Sequence, residues 1–389
     1  MQKSSLRLLL IGSIVLFSIS CTTSKRTTQI TANINSLKYL GGYEIPFNLK
    51  YKNTIVGGLS GIDYDPENDL YYFISDDRSE KAPARFYAAK IYLTPKGIDS
   101  LIFIDVRTIL QANGNTYPNN KADKYKTPDP EAIRYNPKTG LLAWSSEGER
   151  IVKTNDTVLI NPGVFLIDKG GKYIDSFILP ANLKMQLKEK GPRRNSVFEG
   201  ITYADNYKTL YVSVEEPLYE DGPRADVVDN NAFIRIIKFN ATGPQGPDSK
   251  KCIAQYAYKL EPVAYPAKPK TEFKINGVSD ILSLGNNKLL IMERSFSTGR
   301  LPCTIKVFLA DLNGATDISA MSLEENQPFT RAEKTLILNM DDLGVYTDNI
   351  EGVTFGPVLP NGHKTLLFIA DNNFTVLEKA QVLLFEILE

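Results

Sequence analysis

Carboxylates recur at two positions of a sequence pattern that occurs five times in the chain. At one position all five copies carry an acid; these residues are Asp76, Glu147, Glu215, Glu293 and Asp371. At the other, three copies carry a glutamate and two carry Ser60 or Ser279; the glutamates are Glu131, Glu199 and Glu351. Eight carboxylates at one place would raise one another's pKa and destabilise the fold unless positive charge lay among them. Because Ca²⁺ takes several carboxylate oxygens at once, the pattern predicts a calcium site.

Two alternatives to a metal come from the same residues. Duplicated repeats copy their turns, and an acid after a strand can simply form a turn, which explains the five-membered set better than the glutamate trio. Basic side chains can also neutralise the acids, and Arg78, Arg150 and Arg294 lie within three residues of them. We call the eight acids the carboxylate ring.

Hairpins must position the carboxylate ring. Each copy has a short apolar alternation, a turn rich in Pro, Asn, Asp and Gly, and a second β-rich run, which is typical of a hairpin. The copies begin at Gly58, Asp129, Val197, Gly277 and Asn349. Since the two strands of a hairpin are antiparallel, the start of the first and the end of the second lie together, and so do both sets of acids.

Further strand-like runs extend each hairpin. Two follow each of the first four hairpins, and one, Val382–Leu388, follows the fifth. Four antiparallel strands per repeat predict an all-β protein, a β-propeller of five four-stranded blades. The run Leu37–Ile45 precedes the first hairpin and is predicted to complete the last blade, which closes the propeller. A sixth, degenerate blade is the alternative. Because the first strand of a blade lines the channel, the carboxylate ring is predicted at one channel mouth.

The N-terminus has the features of an export signal. Lys3 and Arg7 precede an apolar run too short to span a bilayer comfortably. Cys21 follows Ser-Ile-Ser, which resembles a bacterial lipobox, so Cys21 is the predicted lipidation site. An uncleaved anchor or a plain signal peptide is the alternative. We therefore predict a signal peptide over 1–20, a tether over 21–36 and one propeller domain over 37–389, exported to the cell envelope and lipid-anchored to a membrane.

Composition and absences restrict the chemistry. Lys+Arg and Asp+Glu number 45 each, so no bulk charge recruits nucleic acid, and we expect a monomer that binds a small molecule. The single histidine, His363, lies in the turn of the last hairpin, away from the ring, which argues against a His triad or His-ligated zinc. No P-loop, dinucleotide fingerprint or nucleophile elbow occurs. Cys252 and Cys303 are either bridged or two half-buried strand residues.

The hairpin motifs resemble those of the bacterial phytase-like family, labelled "esterase-like activity of phytase". The matching motifs are GGLSGIDY from Gly57, SDDR from Ser75, ARFY from Ala84, FEGI from Phe198, VSDI from Val278, MER from Met292, NIEG from Asn349 and ADNNF from Ala370. The resemblance covers about residues 37–389. It implies kinship with calcium-dependent propeller phytases, although those are six-bladed and Ala132 stands where three other repeats have Gly.

The resemblance implies roles for individual residues. The carboxylate ring would hold Ca²⁺, and Arg78, Arg85 and Arg294 would contact phosphate. Glu199 and Glu351, which precede channel-lining strands, are the predicted catalytic residues that activate water. The first functional hypothesis is therefore a metal-assisted phosphoesterase or related ester hydrolase. A non-catalytic propeller that binds a ligand or partner, and a calcium-dependent lactonase-type hydrolase, are the alternatives.

Overall fold

The computed structural model describes residues 28–94, 97–242, 249–323 and 328–389. These residues form five four-stranded antiparallel sheets, arranged as the blades of a propeller. The prediction of five blades is confirmed, and the six-bladed alternative is wrong.

Within each blade, successive strands of the chain run from the inner to the outer edge, and the N-terminal strand is added at the outer edge of blade 5. Strand β1 (Ser36–Ile45) comes first, and β2 (Lys50–Tyr51) and β3 (Thr54–Ile55) form a small hairpin. Blade 1 consists of β4 (Leu59–Asp65), β5 (Leu70–Ser75), β6 (Arg85–Thr94) and β7 (Gly97–Thr108). Blade 2 consists of β8 (Pro130–Asn136), β9 (Leu141–Ser146), β12 (Gly163–Ile167) and β13 (Tyr173–Ser176). A separate hairpin of β10 (Glu149–Ile151) and β11 (Val158–Ile160) is inserted between β9 and β12.

The remaining blades repeat this order. Blade 3 consists of β14 (Phe198–Ala204), β15 (Thr209–Val214), β16 (Phe233–Asn240) and β17 (Cys252–Lys259). Blade 4 consists of β18 (Lys274–Gly285), β19 (Lys288–Ser297), β20 (Thr304–Asp311) and β21 (Glu333–Asn339). Blade 5 consists of β22 (Asn349–Phe355), β23 (Thr365–Asp371), β24 (Ala380–Leu388) and β1. Three short 3₁₀ helices lie in the connections, at Ala181–Leu183, Tyr219–Asp221 and Met340–Leu343.

The N-terminal strand closes the propeller, as predicted. Strand β1 pairs antiparallel with β24, from Ser36 opposite Leu388 to Ile45 opposite Ala380. It occupies the outer edge of blade 5, so the first and last parts of the described chain share one sheet. The pairing satisfies backbone groups that would otherwise form an open edge on β24.

The centre of the propeller is closed by one arginine. The inner strands β4, β8, β14, β18 and β22 contact one another in a ring. From β8, Arg134 forms a buried ion pair with Asp280 of blade 4, with Nη2 2.6 Å from Oδ2. It also donates to the carbonyls of Ile62, Ile281 and Val353, in blades 1, 4 and 5. Arg134 therefore spans the axis between blades, and the cavities at the two mouths of the channel are separate.

Glycines allow the inner strands to come this close. A Cβ on Gly200 would lie 2.6 Å from the backbone nitrogen of Ile281, and one on Gly61 would lie 2.8 Å from the carbonyl oxygen of Glu131. Such separations leave no room for a side chain. The Gly residues of the FEGI and GLSG motifs therefore serve the packing of neighbouring blades.

The segment before β1 lies against the propeller. Ala32 and Ile34 are buried in the core between blades 4 and 5. Gln29 hydrogen-bonds to the backbone of Tyr203 and Asn206, at the mouth opposite the carboxylate ring. The described part of the predicted tether is thus packed, and not free.

Other N-terminal predictions lie beyond the described ranges. The signal peptide and Cys21 fall on residues 1–27, which are outside them. Among the described residues, no helix has the length and apolar character needed to cross a membrane. The thiols of Cys252 and Cys303 are both free, so the bridged alternative is wrong.

Candidate metal and active site

The predicted mouth is a cavity of about 540 Å³. Six members of the carboxylate ring line it: Asp76, Glu131, Glu147, Glu199, Glu215 and Glu351. Asp371 is fully buried. Its charge raises the pKa of Asp76, so it lies next to the other members. The structure therefore brings seven of the eight predicted carboxylates together.

Glu293 is the member that the structure places elsewhere. Both of its oxygens are used away from the cavity, by Lys334 and the Tyr258 hydroxyl at 2.7 Å and by the backbone nitrogen of Glu261 at 2.8 Å. The cause is the strand register, because Glu293 pairs with Val278 as Ala370 pairs with Ile350 in blade 5, and Arg294 therefore occupies the place of Asp371. Side chains alternate along a strand, so Arg294, the next residue, faces the cavity instead.

A β-bulge aims the glutamate trio. The pairing of each inner strand with its neighbour shifts register at or next to Ser60, Glu131, Glu199, Ser279 and Glu351. A bulged residue is unpaired and its side chain is redirected, which brings Glu131, Glu199 and Glu351 towards the mouth. All five blades share this device, whether the bulged residue is Glu or Ser.

Two overlapping groups of carboxylates have the proximity that a metal ion requires. One group is Asp76, Asp129 and Glu131, and the other is Glu131, Glu147 and Glu199. Within each group the ligand oxygens lie within 4.8 Å of one another. Glu131 belongs to both groups, so it would be a ligand of a cation held by either one.

Several of these carboxylates lack the donors that buried anions need. Ser60 and Ser145 donate to the backbone carbonyls of Glu131 and Glu199. Within the described part of the chain no protein group donates to the carboxylates of these two residues, although each residue is only 8% exposed. Both carboxylates line the cavity, and the Oδ2 atom of Asp371 is fully buried without a hydrogen-bond partner. Burying a charge without a partner is costly, and a bound cation would remove that cost, so these residues fit a metal.

Burial and like charge shift the acidity of the ring. Burial first, and the neighbouring Asp76 and Glu199 next, hold the pKa of Glu131 well above its usual range. Burial and the Asp129 charge raise the pKa of Glu147 to about 8. Burial raises the pKa of Glu215 to about 7, although the Arg294 charge acts in the opposite direction. Without a cation, the folded protein therefore holds protons that the unfolded chain would release.

We expect the metal-free protein to lose stability as pH rises from 5 to 8. Unfolded glutamates titrate near pKa 4.3, so between that value and about 8 the folded state binds more protons, and the free energy of unfolding falls with pH. Ion-paired acids with a lowered pKa, such as Glu149, lose their contribution below this window. The measurement is the melting temperature of chelator-treated protein across this range.

Two comparisons test the assignment of this pH effect. Added Ca²⁺ should raise the melting temperature more at pH 8 than at pH 5, because ligands must be deprotonated to bind a metal. A Glu147→Gln variant should flatten the upper part of the pH curve. A melting temperature of the chelated wild type that is constant or rises between pH 5 and 8 would contradict the assignment.

The arginines near the ring differ in what they contact. Arg78 pairs with Asp129 and, at 2.6 Å, with Glu149. Arg294 lies 2.5 Å from Glu351 and 2.9 Å from Glu215. Both line the cavity and partly neutralise its carboxylates.

Arg85 and Arg150 are not brought to the cavity lining. Arg85 is buried against Asp77 and the Tyr87 hydroxyl, each at 2.7 Å, where it holds the loop before β6. Arg150 donates to Tyr219 and to backbone carbonyls, so the predicted pairing of Arg150 with the ring is wrong.

Sequence reasoning missed part of the cavity lining. Asp129 precedes β8, and no other repeat has an acid at the equivalent position, so the repeat comparison gave no signal there. Lys81 also lines the cavity, and among the described residues no ion pair joins its ammonium group to a carboxylate. Phe374 lines it too, packed against Gly57 and Gly58.

Comparison with known proteins gives one family match. A family model described as "Phytase-like: Esterase-like activity of phytase" matches residues 54–374. No curated protein matches the sequence.

Solved structures with a broad likeness to this chain include an arabinofuranosidase and a gluconolactonase. An α-L-arabinofuranosidase from Lactobacillus brevis is 11% identical, with a TM-score of 0.43, over 84% of this chain and 90% of that one. The periplasmic gluconolactonase of Pseudomonas aeruginosa is 11% identical, with a TM-score of 0.36, over 86% and 90%. At these scores nothing about the chemistry of this chain follows from them.

Proposed function

Since the chain belongs to the phytase-like family described as esterase-like activity of phytase, we propose that it is a metal-assisted hydrolase of ester bonds, with phosphoesters as substrates. The observation that carries the proposal is the pair of carboxylate groups sharing Glu131, in which the buried Glu131 and Glu199 carboxylates receive no hydrogen bond from described residues. Such anions suit a cation better than any other ligand.

The residues that would hold Ca²⁺ are those of the two groups: Asp76, Asp129, Glu131, Glu147 and Glu199. A divalent cation would supply Lewis-acid charge, which polarises an ester group and makes water more acidic. Asp129 enters this set from the structure. Asp371 is not a member of this set, but its buried carboxylate adds negative charge next to Asp76.

Glu199 and Glu351 play different parts in the proposed reaction. Glu351 is held by Arg294 and by the side-chain amide of Asn349 at 2.9 Å, so it fixes the orientation of Arg294. Glu199 is not ion-paired in the described structure, and burial with the Glu147 charge holds its pKa well above the usual range. It is therefore the better acceptor for a proton released by attacking water.

Lys81 is the basic residue best placed for an anionic substrate. Arg78 and Arg294 each already contact two carboxylates. Lys81 lies on the exposed rim, and the described carboxylates form no ion pair with its side chain, so its ammonium group is available to a phosphate oxygen. Arg78 and Arg294 would contribute by limiting the negative charge of the cavity.

The setting of the enzyme is also a proposal. The signal sequence and Cys21 support export to the cell envelope and a lipid anchor. We also propose a monomeric protein whose substrate is a small molecule. Balanced charge gives no reason to expect nucleic acid as a partner.

A second candidate is a calcium-dependent hydrolase of uncharged esters such as lactones. The engagement of Arg78 and Arg294 by carboxylates favours it, because few basic groups remain for a charged substrate. The same metal groups would serve this reaction.

The deciding measurement is turnover of an aryl phosphate and of a lactone, each with Ca²⁺ and with chelator. We expect Ca²⁺ to raise the rate on the phosphoester by at least about a hundredfold, since charge on the reacting group supplies several kcal/mol. Turnover of the lactone alone would select the second candidate. A folded, calcium-loaded protein that turns over neither substrate would be a ligand-binding propeller.

A further inference from the structure

One side of the cavity is apolar. Phe273, Ile275, Phe296 and Leu301 line the same cavity as the carboxylates, and all four belong to blade 4 or its loops. We call these four residues the apolar wall. Phe273 is 54% exposed and Leu301 is 77% exposed, so the outer part of the wall faces solvent.

The apolar wall is built by the long hairpin of blade 4. Strands β18 and β19 have 12 and 10 residues, whereas β8 and β9 of blade 2 have 7 and 6. The extra length carries the hairpin beyond the level of Glu293, and Ile275 pairs with Phe296 in this extension. The rings of Phe273 and Phe296 lie 6.1 Å apart. Strand pairing holds Ile275 and Phe296, and the backbone nitrogen of Thr298 donates to the carbonyl of Phe273. Leu301 lies in the connection between β19 and β20.

Packing does not require the outer part of the wall. Ile275 is buried and Phe296 packs against the core, but Phe273 and Leu301 leave most of their surface in contact with water. The exposed residues elsewhere in the lining are polar, with Asn195 on the blade 2–3 side and Glu80 and Lys81 on the blade 1 side, and the half-buried ring of Phe374 packs against Gly57 and Gly58. Large exposed apolar groups confined to one side of a polar cavity mark a binding surface.

We propose that the apolar wall binds an apolar group of the substrate, so that the substrates of this site are amphiphilic esters. The ester group lies at the carboxylates, and an aromatic or alkyl group lies against Phe273 and Leu301. This inference rests on the proposed function, because it takes the carboxylate cavity as the place of the ester. A substrate that is polar on all sides would leave the wall uncovered and gain nothing from it.

The test measures binding of two phosphonates, which have no hydrolysable ester bond, to the calcium-loaded full protein by calorimetry. The wild type should bind 1-naphthylphosphonate at least about tenfold more tightly than methylphosphonate, since burial of a ring contributes more than 1.4 kcal/mol. A Phe273→Ser, Leu301→Ser double variant should lose this preference and keep its affinity for methylphosphonate.

A matched control is a Phe47→Ser, Leu187→Ser double variant, since both side chains are exposed and neither lines the cavity. This variant should keep the preference. Equal affinity for the two phosphonates, a preference that survives in the Phe273, Leu301 variant, or binding of neither phosphonate would overturn the inference. If the preference depends on the apolar wall but the protein turns over no ester, the wall is a binding surface and the proposed hydrolase activity is refuted.

Discussion

Glu131→Gln should abolish stabilisation by Ca²⁺ and lower kcat by about a thousandfold, because the shared ligand of both carboxylate groups supports several kcal/mol of charge stabilisation. The substitution keeps the shape of the side chain and removes its charge. At a hundredfold excess of Ca²⁺ over Kd, the wild type should gain about 2.7 kcal/mol of stability, and the variant should gain none.

The metal-free variant should behave in the opposite way. Its neutral amide no longer repels Asp76 and Glu199, whose charges act on Glu131 in the wild type. In chelator at pH 8, we therefore expect Glu131→Gln to melt at a higher temperature than the wild type. Loss of general folding competence could not produce this combination, since it would lower both melting temperatures.

Glu293→Gln is the matched control for Glu131→Gln. It also neutralises a buried glutamate of the repeat, but Glu293 is bound by Lys334 and Tyr258 away from the cavity. This variant should lose stability with and without Ca²⁺, because an amide gives up the ion pair of the buried Glu293 with Lys334, which then keeps only Glu261 as a carboxylate partner among the described residues. It should keep the response to Ca²⁺. A Glu131→Gln protein with the calcium response of the wild type would refute the metal assignment.

Deletion of residues 1–45 should prevent cooperative folding. It removes β1 and exposes the full edge of β24, and it removes Leu37, Ile45 and Ile34 from the core. Burial of three such side chains contributes about 5–8 kcal/mol, which is comparable to the whole stability of many domains. Circular dichroism and thermal melting of the purified fragment measure the effect.

A shorter deletion separates closure of the propeller from loss of the packed segment. Removing residues 1–31 keeps β1, Ala32 and Ile34, and removes the hydrogen bonds of Gln29 at the opposite mouth. This protein should melt cooperatively, within about 2 kcal/mol of the wild type, since only a few hydrogen bonds are lost. Similar melting of the two fragments would show that β1 does not hold the propeller closed.

Much of the fold was predictable because one pattern is repeated. Alternation, turn residues and spacing gave the same hairpin five times, and the surplus strand Leu37–Ile45 had one free edge to join. What the pattern could not show was the pairing register of each hairpin. In blade 4, Arg294 pairs with Gly277 as Asp371 pairs with Asn349 in blade 5, so Glu293 lies one residue away from the place of the ring acids.

The candidate site was predictable only where it repeats. Glu131 and Glu199 share a place in the pattern, so antiparallel pairing put them at one mouth. Asp129 occurs in a single repeat and gave no such signal. Arg134 lies in an alternating strand pattern, where a charged residue is expected at the surface. In the structure it crosses the axis and contacts blades 4 and 5 instead. These contacts depend on how the blades are arranged in the closed propeller.

The central Arg134–Asp280 pair has a consequence for the order of events during turnover. Because Arg134 lies between the two cavities of the channel, a substrate of the proposed reaction would enter and its products would leave by the same mouth. Product and substrate therefore compete for one passage. Inhibition by the released product should be competitive with substrate. At saturating substrate concentration, slow release of the more apolar product should limit kcat.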